Sequence, residues 1–303
     1  MLAALVEAMR PHQWVKNLLV VAPLAFAHQE PAVAGDPGGA LRSSLSAFAV
    51  FCLLSSSIYL LNDCADRKAD ASHPVKRNRP IASGRLPVGV ALAASLGLAT
   101  TSLTWASQLG PDGVVPFATW PLAYMVLNLS YSFGLKRIVI LDCLIIALGF
   151  QLRVHGGAVV LGVRTSAWIL LCTFFFALFL AFCKRREEVE RMRDGTGATR
   201  ATIRDYDVPF LDQVIAPLAA LSILCYALYT VDPNSVAMHG TNLKFTVPFV
   251  VFGVFRYLFL IHKRGEGADP ARLLFRDPPL VLSGLLWGAA VLGAIATKGA
   301  GGT

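Results

Sequence analysis

The chain has 303 residues, of which 55% are hydrophobic and 15% are charged; its mean hydropathy is +0.58 and its formal net charge is +8. So little charge in a chain of this length excludes an ordinary soluble domain and indicates an integral membrane protein. The positive charge does not indicate nucleic-acid binding. Most of the 27 basic residues lie in alternate connections between apolar segments, which is the distribution that the positive-inside rule describes.

The apolar segments predict an all-α integral membrane protein with about nine transmembrane helices, since a helix needs roughly 20 mostly apolar residues to cross a bilayer. The segments span residues 14–27, 41–61, 86–108, 114–131, 138–155, 167–183, 210–231, 244–262 and 279–297. We predict a single polytopic membrane domain over residues 1–303, with its N-terminus and its functional loops, near 62–85 and 184–207, on the cytoplasmic side of the plasma (inner) membrane.

The first segment carries two polar residues, Lys16 and Asn17, inside its apolar boundary. Polar groups at such positions usually face a cavity. We therefore predict that both residues contact a substrate.

The second segment ends in a run of acidic residues. At roughly 100° per residue, Asp63, Asp66 and Asp70 fall on one face of a helix, with Asn62 at its edge. Carboxylates this close repel one another unless a cation lies between them, and Mg²⁺, or Mn²⁺ as the alternative, prefers such oxygen ligands. We predict Asn62, Asp63, Asp66 and Asp70 as metal ligands.

Basic residues follow within a few positions. Lys76, Arg77 and Arg79 are suited to bind phosphate, and Pro74 and Pro80 stop the helix from continuing through them. Acidic groups for a metal beside basic groups for phosphate predict a metal-bound diphosphate. The simpler alternative is a cytoplasmic loop whose charges face water and only orient the protein.

The fourth and fifth segments are joined by Tyr131, Ser132 and Lys136, which we place at the same polar boundary. Asp142, about one turn into the fifth segment, is predicted to reach the acidic helix end. Arg153 lies near the far side and is expected to extend its guanidinium to the interface. Arg256, inside the eighth segment, has no evident partner.

The sixth segment runs into the densest charge cluster of the chain, which begins with Lys184, Arg185, Arg186 and Glu187. We predict that these four residues, and Tyr206 further on, bind substrate. A solvated helix is the alternative, because some of the charges are compensated at helical spacing. The six cysteines show no Cys-x-x-Cys spacing and are interpreted as packing residues, not as disulfides or zinc ligands.

The acidic motif and the basic run after it resemble the UbiA-type intramembrane prenyltransferases. The residues that carry the resemblance are Asn62-Asp63-x-x-Asp66-x-x-x-Asp70, followed by Lys76-Arg77-x-Arg79-Pro80-Ile81-Ala82-Ser83-Gly84. The resemblance covers essentially the whole chain. It implies a nine-helix bundle with a cytoplasm-facing polar cavity, in which acidic motifs hold Mg²⁺ against a diphosphate.

Two further segments are similar to one branch of this family, which transfers phosphoribose from phosphoribosyl diphosphate (PRPP) to decaprenyl phosphate on the way to cell-wall arabinan (arabinogalactan). They are Arg10-Pro11-x-Gln13-Trp14-x-Lys16-Asn17 and Tyr131-Ser132-x-x-Leu135-Lys136-Arg137. The resemblance implies a Mg²⁺-dependent pentosyltransferase that acts on PRPP and a polyprenyl phosphate in the membrane lipid. We assign catalytic roles to Asp63, Asp66, Asp70, Lys136 and Asp142.

One departure from the family pattern favours this branch. Members that prenylate aromatic rings carry a second acidic motif after the sixth segment, where this chain has Lys184-Arg185-Arg186-Glu187. One acidic and one basic cluster suit PRPP, whose 5-phosphate is remote from its metal-bound diphosphate.

Two alternatives stay open. A prenyltransferase would move a prenyl group from prenyl diphosphate to an aromatic acceptor. A transporter or flippase would explain the intramembrane arginines, although transporters often contain internal repeats and this sequence shows none. The sequence leaves the prenyl chain length and a homo-oligomeric state open.

Overall fold

The computed structural model describes residues 1–72, 76–111, 115–194, 201–264, 273 and 276–300. Within these ranges every regular element is helical, which confirms the predicted all-α class. The chain divides into two compact units, Met1–Thr165 and Ser166–Thr303.

The first unit is built around one long helix, α4, which carries the acidic motif at its end. Its helices are α1 (Leu2–Met9), α2 (Ala22–Phe26), α3 (Pro31–Ala34), α4 (Pro37–Ala65), α5 (Arg67–Ala71), α6 (Val88–Ala106), α7 (Thr119–Phe133) and α8 (Leu141–Val160), with 3-10 segments at Pro11–Val20, Lys76–Asn78 and Leu135–Arg137. A proline at N1 and the Asp36 carboxylate, which accepts from the Gly39 amide at 2.8 Å, fix the start of α4.

Buried aromatic and serine residues hold α4 against its neighbours. Phe51 packs edge-on against the Tyr124 ring of α7 at 5.6 Å between centroids. Towards α6, the hydroxyls of Ser57 and Ser95 each donate to the other residue's backbone carbonyl at 2.8 Å, and Ser102 donates to the Val50 carbonyl at 2.9 Å. Hydrogen bonds between small polar residues are a main source of specific helix association in lipid, where apolar contacts alone distinguish little.

A close backbone contact joins α8 to the 3-10 segment Pro11–Val20. A Cβ atom added to Gly157 would lie 2.0 Å from the Val20 carbonyl oxygen, so only glycine fits there. This contact fixes the segment that carries Lys16 and Asn17 against α8.

The second unit contains α9 (Ala167–Arg193), α10 (Val208–Val231), α11 (Pro233–His239), α12 (Val247–Arg264) and α13 (Pro278–Ala300), with 3-10 segments at Ala201–Asp205 and Thr241–Thr246. Aspartates start three of these helices: Asp207 accepts from the Phe210 amide at 2.7 Å, Asp232 from the Ser235 amide at 3.2 Å and Asp277 from the Leu280 amide at 3.1 Å. The two carboxylate oxygens of Asp277 also accept hydrogen bonds from the Nε and Nη2 atoms of Arg256, at 3.0 and 2.8 Å. Arg256 therefore has a partner that the sequence did not reveal.

Seven helices in the described part of the chain are long and apolar enough to cross a membrane: Pro37–Ala65, Val88–Ala106, Leu141–Val160, Ala167–Arg193, Val208–Val231, Thr241–Lys263 and Pro278–Ile295. They correspond to seven of the nine predicted segments. The first predicted segment is a 3-10 stretch followed by the short α2, and the fourth contains the 15-residue α7. The count of nine spans and the cytoplasm-facing cavity stay predictions.

Candidate active site

The acidic motif lies where α4 ends, and a break in the helix divides its three aspartates. Asp66 lies between the two helices, as the C-cap of α4 and the N-cap of α5, so the motif is not one continuous helix. The side chains of Asp63 and Asp70 are each 4% exposed, whereas that of Asp66 is 48% exposed and lies 3.6 Å from the Lys136 ammonium. Asp63 and Asp70 thus share a buried site, and Asp66 lies at its rim.

An arginine joins the two buried carboxylates. The Nη1 atom of Arg79 lies 3.1 Å from Asp63 Oδ1 and 2.6 Å from Asp70 Oδ2, and Arg10 Nη2 lies 2.6 Å from Asp63 Oδ1. Carboxylates this close repel one another unless a positive charge lies between them, and the guanidinium groups of Arg79 and Arg10 provide that charge in this structure. Arg79, predicted as a phosphate ligand, therefore binds the acidic motif.

The loop that carries Arg79 is anchored by apolar residues. Ile81 and Leu86 are buried in a cluster with Ala4 and Ala8 of α1 and Leu60 of α4. Burying a large aliphatic side chain contributes about 1.5–3 kcal/mol, so the two anchors hold the loop backbone firmly over the end of α4.

The same loop is tied to α1 by an exposed ion pair. Arg85 donates to both carboxylate oxygens of Glu7, at 2.8 and 2.9 Å. These hydrogen bonds from Arg85 lower the pKa of Glu7.

Arg10 is a site residue that the sequence analysis did not assign. Its backbone is left-handed (φ 55°, ψ 59°) where α1 ends, and its guanidinium lies 5.0 Å from the centre of the Tyr59 ring. The available signal was its position immediately before Pro11 in a motif shared with the family branch. Its contact with Asp63, 53 positions away, depends on tertiary structure.

Asn17 and Arg153 form a buried polar network within the first unit. Arg153 is 5% exposed and donates to the Asn17 side-chain oxygen at 2.7 Å, the Tyr124 hydroxyl at 2.7 Å and the Gly149 carbonyl at 2.8 Å. The Asn17 amide donates to Ser55 at 3.2 Å. The expectation that Arg153 extends to the interface was wrong, because its guanidinium is satisfied inside the protein. Asn17, predicted to bind substrate, uses both ends of its amide in this network.

The other predicted residues of this unit occupy varied environments. Asp142 is 1% exposed in the first turn of α8, where the helix dipole favours a carboxylate. The Ser132 hydroxyl donates to the Asn128 carbonyl at 2.8 Å. Arg77 is exposed. The predicted site residues that are partly buried are Lys16, Asn62, Lys76, Tyr131 and Lys136. Positions 73–75 of the predicted loop lie outside the described residues.

In the second unit, the basic cluster at the end of α9 is largely buried, which argues against a solvated helix. Arg185, Arg186 and Glu187 are 1%, 6% and 3% exposed, and Lys184 is partly buried. Arg185 pairs with Glu188, and Glu187 accepts from Arg191 at 2.9 Å.

Asp212 of α10 is a second residue that the sequence analysis missed. It lies 2.5 Å from Arg186 Nε and 3.2 Å from His262 Nε2, and Arg186 also lies 2.8 Å from Glu190. The feature of the sequence that pointed to Asp212 was its position as a lone acidic residue near the start of the apolar segment 210–231. Tyr206 is buried against the ring of Phe210, and positions 195–200 lie outside the described residues.

The donor set at the end of α4 fits a hard metal ion. No group of three or more His, Cys, Asp or Glu side chains in the described residues has metal-binding geometry. However, Asp63 and Asp70 direct carboxylate oxygens at one cationic nitrogen, and carboxylate oxygen is the ligand that Mg²⁺ prefers.

Residues 20–277 match the model of the UbiA prenyltransferase family. The fold agrees: a UbiA homolog from Archaeoglobus fulgidus, solved with DMAPP and Mg²⁺, superimposes with a TM-score of 0.70 over 96% of this chain and 99% of that one, at 18% identity. The chain belongs to the UbiA prenyltransferase family, as its sequence motifs predicted.

Within the family, the chain is similar to curated enzymes along most of its length. It is 36% identical to the decaprenyl-phosphate phosphoribosyltransferase of Corynebacterium glutamicum, over 93% of this chain and 84% of that protein. It is 33% identical to the enzyme of the same name from Mycobacterium tuberculosis, over 98% of this chain and 95% of that protein.

Proposed function

We propose that this protein transfers the 5-phosphoribosyl group of PRPP to a polyprenyl phosphate, decaprenyl phosphate in the first instance, and releases diphosphate for cell-wall arabinan synthesis. The observation that carries the proposal is the similarity to decaprenyl-phosphate phosphoribosyltransferases along nearly the whole chain. The buried Arg185 and Arg186 at the end of α9 also support the proposal, since they occupy the position after the sixth apolar segment at which family members that prenylate aromatic rings have a second acidic motif.

The residues at the end of α4 bind the diphosphate of the donor. Asp63, Asp66 and Asp70, with Asn62, would hold Mg²⁺. A metal ion held there would neutralise charge on the leaving diphosphate. Lys76, Arg77 and Arg79 hold the phosphate oxygens, and Lys136 adds positive charge at the rim of the site, beside Asp66.

The acceptor needs no strong general base. A prenyl phosphate is already an anion at neutral pH, and the ribosyl carbon that it attacks passes through an oxocarbenium-like state. The protein therefore accelerates transfer mainly by positioning and electrostatics. Asp142 would bind a ribose hydroxyl or orient Lys136.

The basic cluster of α9 binds a separate phosphate, either the 5-phosphate of the donor or the lipid phosphate. Arg185 and Arg186 suit this role because carboxylates already orient their guanidinium groups, namely Glu188 for the first and Asp212 for the second. An oriented guanidinium loses less entropy when it binds phosphate.

A labelled-donor assay tests the proposal. Membranes containing the protein are incubated with labelled PRPP and polyprenyl phosphates of several lengths, and separately with labelled prenyl diphosphate and an aromatic acid, with Mg²⁺ or with EDTA. We expect a labelled lipid product from PRPP only, and only with Mg²⁺. A prenylated aromatic product, or binding of PRPP without turnover, would overturn the proposal.

A further inference from the structure

The three carboxylates at the end of α4 already have cationic partners. Three carboxylates, of Asp63, Asp66 and Asp70, contact three cationic side chains: Arg10, Arg79 and Lys136. Arg79 Nη1 lies where the two buried carboxylates converge. A divalent cation that binds without a diphosphate would meet the Arg79 guanidinium between its two best ligands, Asp63 and Asp70.

We propose that Arg79 is an exchangeable counter-ion, which holds Asp63 and Asp70 in the resting protein and moves to diphosphate oxygens when metal and diphosphate bind together. This rests on the proposed function only in taking a diphosphate as the ligand. Metal alone then binds weakly, because it must displace Arg79 into water. A diphosphate gives the guanidinium a new partner, so each ligand strengthens binding of the other by the same factor.

Arg79, and not Arg10, is the residue that exchanges. Arg79 contacts both buried carboxylates, whereas Arg10 contacts Asp63 alone and packs on the Tyr59 ring. The side chains of Arg79 and Arg10 are 29% and 24% exposed, so both have a path towards solvent, and the contact with both carboxylates distinguishes Arg79. Because apolar residues anchor the loop backbone, the exchange requires only side-chain rotation.

The first test measures metal affinity without any phosphate. Mn²⁺ is titrated into the purified full-length protein in detergent, and free Mn²⁺ is followed by EPR. We expect Arg79→Met to bind Mn²⁺ at least about tenfold more tightly than the wild type, because a unit charge has left a partly buried site. Arg85→Met is the matched control: it lies in the same loop but pairs with Glu7, and its Mn²⁺ affinity should equal that of the wild type.

Two further variants complete this test: one replaces Arg79→Met if that protein does not fold, and the other shows whether the gain in Mn²⁺ affinity depends on Asp70. Arg79→Gln keeps hydrogen-bond donors for the carboxylates without the charge, and should show a similar gain. Adding Asp70→Asn to whichever Arg79 variant folds should abolish that gain. Unchanged Mn²⁺ affinity in the Arg79 variant, or a gain that survives loss of Asp70, would overturn the proposal.

The second test uses radiolabelled pyrophosphate with Mg²⁺ in equilibrium dialysis. Arg79→Met should bind it about tenfold less tightly than the wild type, because the guanidinium that receives the anion is gone. Tighter Mn²⁺ binding together with weaker pyrophosphate binding in Arg79→Met supports exchange. A merely structural role of Arg79 would weaken the binding of both ligands, and weaker binding of both would overturn the proposal. Failure of the proposed function would appear separately, as wild-type protein that forms no lipid product from PRPP.

Discussion

Asn17 accepts a hydrogen bond from the Nε atom of Arg153 at 2.7 Å, which joins the 3-10 segment Pro11–Val20 to the interior of α8. The guanidinium charge is buried, and the groups that it contacts are the neutral oxygens of Asn17, Gly149 and Tyr124 together with the rings of Tyr124 and Phe150. The network therefore depends on complete hydrogen bonding of the arginine.

Asn17→Ala should lower the free energy of unfolding by about 1.5–3 kcal/mol, the usual contribution of a hydrogen bond to a charged group. Thermal unfolding of the purified protein in detergent measures the loss. Asn234→Ala, an exposed asparagine in α11, is the control and should stay within about 0.5 kcal/mol of the wild type. Equal stability of Asn17→Ala and the wild type would show that water replaces the amide.

Asp70→Asn should reduce the rate of transfer from PRPP by about 10²–10³-fold at saturating Mg²⁺, because it removes a carboxylate that would hold the metal ion against the leaving diphosphate. Asp66→Asn should also abolish Mg²⁺-dependent turnover but should leave stability nearly unchanged, because Asp66 is half exposed. The labelled-PRPP assay and a melting curve on the same samples separate the two effects. Near-normal turnover in either variant would remove that residue from the metal site.

Arg186→Ala should raise KM for PRPP or for the lipid phosphate by about tenfold or more, since an oriented guanidinium contributes roughly 1.5–3 kcal/mol to phosphate binding. Asp212→Asn should raise the same KM by a smaller factor, because it leaves Arg186 charged but less well oriented. Arg193→Ala, exposed at the end of α9, is the control. Unchanged KM values for both substrates in Arg186→Ala would limit this cluster to a structural role.

Gly157→Ala should destabilise the first unit by several kcal/mol, because the new Cβ would lie 2.0 Å from the Val20 carbonyl oxygen and the backbone would have to move. Gly97→Ala is the matched control. It adds the same atom to the exposed side of α6, where nothing lies within 4 Å, and should stabilise the helix slightly. Similar melting temperatures for the two variants would contradict the close packing of α8.

Local patterns were sufficient to predict much of the architecture. Hydropathy located the seven long helices, and the spacing of Asp63, Asp66 and Asp70 located the acidic end of α4. The break at Asp66 was not predicted, because three aspartates at helical spacing look the same whether or not the helix continues through them.

Pairings between distant residues could not be predicted. Arg79 reaches Asp63 and Asp70 only because burial of Ile81 and Leu86 folds its loop back, and burial is a property of the assembled unit. The same holds for Arg153 with Asn17, 136 positions apart. A charged residue in an apolar segment indicates that a partner exists without indicating which residue it is.

The reciprocal hydrogen bonds of Ser57 and Ser95 set the register between α4 and α6, the two helices that flank the loop carrying Arg79. Sliding α4 against α6 by a single turn would break both bonds in an environment that offers no water to replace them. The ends of that loop are thus kept at a constant separation, and two small buried hydroxyl groups help to determine how accurately the loop's arginine meets its aspartates.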